Sequence, residues 1–368
     1  MVVAAVALVA ALSFVWLRLA THDGDASRFV VAGDHFTDPD AAPAGLAVLV
    51  DSTGADGQYY YRLALDPLTT KRTDFGITLV APAYNQQRIV YPVLAWAASG
   101  GGRARALPWV LIGVNVVAMT ALAFAGAHLV RSLGHHSAWG LALALQPGAW
   151  ITLGWDLTEL VAGVAVVAAL VLLRQGRTYA AAGAMSVAVL TRETTVLLPI
   201  AGVLMWLAGR HQTPLRTWAI PLGAFATWQS ALIVRWGQLP ARGTPDSLGI
   251  PGGGFLRSLR FNASDDPLTA LELLVFLGFV VAVVRSMRRP GTALRDYERV
   301  AAVLFLVLAS VAGFHVWFSD LNFLRTNFEF VILGTVALLA DPTSRRDLVA
   351  WGLGVVSFVA GWFRILGV

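Results

Sequence analysis

The chain has 368 residues, 57% of them hydrophobic and 13% charged, with a formal net charge of +5 and no cysteine. A soluble domain carries about 25% charge, so an ordinary globular protein is excluded, and the missing thiols exclude disulfides and thiolate metal sites. The arginines gather in short loops between apolar runs, which reads as a membrane-topology signal and not as a nucleic-acid surface.

Apolar runs of about 18 or more residues recur along most of the chain, each able to cross ~30 Å of hydrocarbon. They predict an all-α polytopic membrane protein; a β-barrel would show short alternating segments. The first span is 2–20. It lacks a positive n-region and a convincing cleavage site, which predicts a retained helix with a slightly truncated start. A long polar loop, 21–106, follows. Within it, VYPVLAWAAS (90–99) is too short to cross and suits an interfacial or re-entrant helix, with Tyr91 and Trp96 at headgroup depth.

Further spans are predicted at 107–131, 138–153, 156–174, 178–191, 194–209, 216–236, 268–286, 299–318, 327–341 and 348–366, giving about eleven in a single domain, 1–368. The short pairs around Asp156 and Arg192 predict broken or tilted helices. A second polar loop, 237–267, contains GIPGGG without the Lys-Ser/Thr of a phosphate loop. No internal repeat is visible.

Orientation follows from loop charge. With the N-terminus cytoplasmic, the inner loops hold Arg131, Arg174 with Arg177, Arg210 with Arg216, the cluster Arg285, Arg288, Arg289, Arg295 and Arg299, and Arg345 with Arg346. Both polar loops then lie outside the cytoplasm. That outer face collects the unusual polar residues. The first loop contributes Asp34, Asp56, Gln58, Tyr60, Arg62, Asp66 and Arg88. Later outer turns contribute Asp156 and Glu159, then Arg192 and Glu193, then Asp320, Asn322 and Arg325. Each charge at membrane depth costs a few kcal/mol, so their convergence on one side predicts a polar, water-accessible cavity.

The segment Asp56-Gly57-Gln58-Tyr59-Tyr60-Tyr61-Arg62-Leu63-Ala64 is the densest part of that set. Read as a helix, it sets Asp56 at an N-terminus, either as a cap or as a general base or metal-coordinating carboxylate. The three tyrosines suit sugar stacking and an interfacial belt equally. Arg62 is placed to pair with Asp66 at i, i+4.

Together with Arg88-Ile89-Val90-Tyr91-Pro92-Val93-Leu94, this layout resembles the first outer loop of GT-C glycosyltransferases. The pattern D-x-x-[HY]-[FY]-x-x-[IL]-A followed by a Pro-containing aromatic segment is shared with phosphatidylinositol-glycan mannosyltransferases. The fuller form also resembles bacterial, especially actinobacterial, membrane proteins. The strong match covers about 45 residues. The resemblance implies hexosyl or pentosyl transfer from a polyprenyl-phosphate sugar to a lipid or glycan acceptor of the cell envelope, outside a bacterial cytoplasmic membrane.

The resemblance further implies a first-loop carboxylate as base, which maps onto Asp56 first and onto Asp34 second. Substrate binding is expected from Gln58, Tyr60, Arg62, Arg88, Asp156, Glu159, Arg192, Glu193 and Arg325. Arg192 and Arg325 come first for the leaving phosphate, because a guanidinium fork meets phosphate oxygens in pairs, and Glu193 is expected to orient Arg192. Some relatives use a DxD-like pair with a divalent metal. Asp38-Pro39-Asp40 is placed as a turn, so metal use stays open. The expected partners are membrane lipids, with no nucleic acid. The competing reading is a transporter or flippase for a lipid-linked or polar small molecule.

Overall fold

The structure is a computed structural model that describes residues 1–341 apart from Thr244 and the side chain of Pro245. The expected span 348–366, with Arg345 and Arg346, lies outside the described residues. The chain is an all-α polytopic membrane protein. The first helix, α1 (Val2–Ala20), leads into a long loop that carries three short helices: α2 (Gly57–Leu65), α3 (Pro82–Gln86) and α4 (Val90–Ala98). Two small two-stranded sheets brace the same loop. β1 (Ala32–Gly33) pairs in parallel with β2 (Val48–Leu49), and β3 (Thr73–Asp74) pairs antiparallel with β4 (Ile77–Thr78).

The bundle continues with α5 (Leu107–Ser132), α6 (Gly140–Ala144), α7 (Pro147–Gly154), α8 (Glu159–Arg174), α9 (Thr178–Thr191), α10 (Leu197–Leu207) and α11 (Leu215–Trp236). It closes with α12 (Gly253–Asp265), α13 (Pro267–Arg288), α14 (Asp296–Ser310), α15 (Phe314–Trp317), α16 (Asp320–Thr326) and α17 (Phe328–Ala340). α5 packs against α1, α6 and α8. On the other side α10 packs on α11 and α14, and α17 packs on α13 and α14. Gly163 of α8 lets α17 approach closely; a Cβ there would stand 2.5 Å from the Phe328 ring.

The predicted spans differ from these helices at the breaks. The run 138–153 divides into α6 and α7 because Pro147 has no N–H to donate and holds Gln146 extended. The run 299–318 divides at the extended Gly313. α1, α5 and α13 are each long and apolar enough to cross a membrane. α8, α9 and α10 have 16, 14 and 11 residues, shorter than the roughly 20 of a straight crossing. α16 and α17 form a bent pair with a 62° angle at Asn327. Tyr91 is not in an interfacial belt: it is fully buried, donates to the Leu111 carbonyl at 3.2 Å, and accepts from Asn115 Nδ2 at 2.9 Å.

One buried ion pair locks the bundle at the end away from the long loop. Arg174 donates from Nε and Nη2 to the two carboxylate oxygens of Glu298, at 2.9 and 2.6 Å. Glu298 is fully buried and also accepts the Arg295 amide at the start of α14. Removing one partner of such a pair strands the other charge at about 3–5 kcal/mol. Glu298→Ala is therefore expected to lower the unfolding temperature in detergent markedly. A variant as stable as wild type would show that the pair contributes nothing.

Candidate active site

The site begins at the N-terminus of α2. Gly57 is pressed against two backbone segments, so that a Cβ would stand 2.4 Å from the Trp155 carbonyl oxygen and 2.6 Å from that of Val30. Only glycine tolerates that approach, and it sets the position of the neighbouring Asp56. The Asp56 side chain makes no cap hydrogen bond to α2. Its Oδ2 instead accepts from Arg325 Nη1 at 3.0 Å and lies 3.8 Å from Arg88 Nη1. Burial alone would raise the Asp56 carboxyl, but Arg325 and then Arg88 outweigh it and hold it below the ordinary carboxylate value.

Arg88 is held by three residues through four hydrogen bonds. Nε and Nη2 donate to Glu193 at 2.8 and 2.6 Å, a bidentate fork. Nη1 donates to the Tyr60 hydroxyl and Nη2 to the Tyr84 hydroxyl, each at 2.9 Å. Burial pushes both phenols up, so they stay neutral. Burial opposes the Arg88 charge, yet Glu193 and the two tyrosines keep the guanidinium more firmly protonated than usual.

Arg192 braces the helix break. Its Nη1 donates to both Glu329 oxygens at 3.0 Å and to the Arg325 carbonyl at 3.1 Å, and its Nη2 donates to the Thr326 carbonyl at 3.1 Å. Those carbonyls end α16, where backbone acceptors have no helical partner and a cation is favoured. Arg192 therefore fixes the bend that presents Arg325. Arg325 is the least occupied guanidinium of the set. Its side chain is 18% exposed, it makes one hydrogen bond to Asp56, and Glu159 stands 3.9 Å away.

Most of these groups line a cavity of about 340 Å³. Its polar lining includes Asp56, Tyr84, Arg88, Glu159, Arg192, Glu193 and Arg325. Its apolar lining includes Phe305, Leu308 and Ala309 of α14, Ala312 just beyond that helix, Val316 of α15 and Phe330 of α17. His315 and Asn322 also reach it. The arrangement suits an amphiphile with an anionic head.

Several expected site residues lie elsewhere. Asp34 is outside the cavity, and its two oxygens accept the amides of Asp51 and Ser52 at 2.9 and 3.0 Å. Those two hydrogen bonds hold its carboxyl below the usual range. Gln58 clamps the loop, accepting from Gly33 N and Thr37 Oγ1 and donating to the Thr53 carbonyl. Arg62 does not pair with Asp66: it lies fully buried beside Asp74 at 3.5 Å, Thr69 at 3.0 Å and the Phe75 ring. Asp156 is buried away from the cavity lining, with no hydrogen bond to either oxygen among the described residues. The three tyrosines are all buried and present no stacking face. Glu193 orients Arg88, not Arg192. Sequence reasoning passed over Tyr84 and Glu329. Glu329 carried a signal, being an ionisable residue at the head of an apolar span.

Among the described residues no group of three or more His, Asp or Glu is close enough to hold a metal ion.

No protein-family model and no curated protein matches this sequence. A crystal structure of ArnT from Cupriavidus metallidurans bound to undecaprenyl phosphate does match, with a TM-score of 0.52 over 95% of this chain at 17% identity. The chain shares that fold. It spans 63% of the length of the ArnT chain. At this identity the likeness speaks for the helical architecture alone.

Proposed function

We propose that the chain is a GT-C type membrane glycosyltransferase that moves a sugar from a polyprenyl-phosphate donor to a lipid or glycan acceptor, with Asp56 as general base. One observation carries this reading: a carboxylate and an arginine meet at 3.0 Å in the lining of a cavity that also carries apolar side chains. Two further points support it, the first-loop resemblance and the shared fold of a protein that binds undecaprenyl phosphate.

The chemistry assigns each group a task. The acceptor hydroxyl gives its proton to Asp56 as its oxygen bonds to the anomeric carbon. The bond from that carbon to the phosphate oxygen breaks, and the leaving polyprenyl phosphate takes up the negative charge beside Arg325. Arg88, held by Glu193, Tyr60 and Tyr84, keeps Asp56 ionised. In-line displacement puts base and leaving group on opposite sides of the anomeric carbon. The Asp56–Arg325 contact is therefore a resting state that parts when the sugar enters, the incoming phosphate drawing Arg325 away.

Membranes containing the chain are expected to transfer labelled sugar from a polyprenyl-phosphate donor into lipid or glycan. Uptake or scrambling without a glycosyl product would make the chain a transporter instead. The active face is proposed to be extracytoplasmic, so a reporter inserted after Gly57 should read outside; a cytoplasmic signal would reverse that placement.

A further inference from the structure

α12 reverses the usual pattern of a surface helix. Its protein-facing side is small and polar: Gly254, Ser258 and Asn262 are buried at i, i+4 and i+8. Ser258 donates its hydroxyl proton to the Trp317 carbonyl, and Asn262 Nδ2 donates to the Phe318 carbonyl at 3.0 Å. These bonds fasten α12 to the end of α15. The outward side carries Leu256, 58% exposed, and Phe261, 42% exposed, together with the exposed Arg257 and Arg260. Neither arginine forms an ion pair among the described residues. Arg257 lies over the Phe314 ring at 4.5 Å.

The connection to α13 sets the depth of this helix. Asp266 alone separates α12 from α13, which is long and apolar enough to cross the membrane. α12 thus lies where the chain enters the bilayer. An outward face of leucine, phenylalanine and arginine at that level meets the boundary between headgroups and acyl chains, with the guanidiniums snorkelling to phosphate.

Beside α12 runs a second cavity of about 480 Å³. Its walls include Leu248, Ile250, Gly253, Gly313 and Phe314, together with Arg257 and Asp246. Ile250 is 76% exposed at its edge. Leu248 and His315 belong to both this cavity and the main one. An apolar slot with an unpaired cation beside it matches one acyl chain and one phosphate.

We propose that the outward face of α12 and this slot form a binding site for an anionic phospholipid of the surrounding bilayer. The phosphate sits on Arg257 and Arg260, and an acyl chain lies along Ile250 and Phe314. The bound lipid seats the segment 246–254, whose Ser247 and Leu248 wall the main cavity. The site depends on no feature of the transferase reading, since it lacks Asp56, Arg88 and Arg325.

Native mass spectrometry of the purified full chain tests it, after exchange into mixed micelles holding equal phosphatidylglycerol and phosphatidylcholine. Wild type is expected to retain phosphatidylglycerol preferentially, and Arg257→Gln/Arg260→Gln to lose about 30-fold of that preference, on the usual attraction of an arginine near an anionic surface. Arg103→Gln/Arg105→Gln is the control and should retain it. Equal retention of the two lipids by wild type, or an unchanged preference in the α12 double variant, would overturn the site. A double variant that unfolds early is replaced by Arg257→Lys/Arg260→Lys, which keeps the charge and should keep the preference; loss of it there would overturn the site too.

Discussion

Asp56→Asn is expected to lower sugar transfer by roughly 10³-fold, in the range that a positioned general base supplies, while the protein is made and inserted as before. Asparagine keeps the size of the side chain and an oxygen that can accept from Arg325. The side chain is 27% exposed at the cavity edge, so little packing is lost. What disappears is the ability to take a proton. The matching variant at the other first-loop candidate, Asp34→Asn, removes only a loop brace, because Asp34 spends both oxygens on backbone amides. Its transfer rate is expected to stay within about tenfold of wild type. The pair of variants thus separates the first from the second of the two candidates that the sequence offered for the base. Initial rates with a saturating polyprenyl-phosphate donor provide the measurement. Full activity in Asp56→Asn would remove Asp56 from the chemistry.

The membrane character and most helix positions were legible because long apolar runs leave little choice: a backbone in hydrocarbon must bond to itself, and only helices and closed barrels do so. The breaks were less legible. Pro147 announces one, but the bend at Asn327 has no proline or glycine. It is held by Arg192, which comes from 133 residues earlier in the chain to reach the Arg325 carbonyl. The same limit governed the site. Local spacing put Asp56 on a helix end correctly, yet could not say that its partner would be Arg325. Arg62 shows the converse error. An i, i+4 partner at Asp66 was available, but α2 ends at Leu65, Asp66 is extended, and the guanidinium turns to Asp74. The charges in one loop could be counted from sequence, whereas which charges neutralise one another depended on helices brought together by the fold.

Arg325→Gln is expected to cut transfer by about 10²–10³-fold, as loss of one donor to a developing charge does elsewhere, and to leave a second signature in the pH profile. In wild type the free site holds Asp56 below the ordinary carboxylate value, with Arg325 the leading attractive cause against burial. A carboxyl depressed in this way is ionised above that lowered value and loses its function only as pH falls through it. The acid limb of kcat/KM for the donor, which reports the free enzyme, should therefore lie below the ordinary carboxylate range near 3.9. In the donor complex the phosphate draws Arg325 away from Asp56 and adds negative charge to the site. Both changes raise the carboxyl, so the acid limb of kcat should stand at higher pH than that of kcat/KM. Arg325→Gln removes the attraction from the free site, whereas in the donor complex the contact has already parted. Its kcat/KM limb should move up towards the kcat limb, and the separation between the two should shrink. Arg325→Lys, which keeps the charge without the fork, should recover part of the separation. Two limbs that coincide in wild type, or a kcat/KM limb that stays in place in Arg325→Gln, would mean that Arg325 does not hold Asp56 in the resting site.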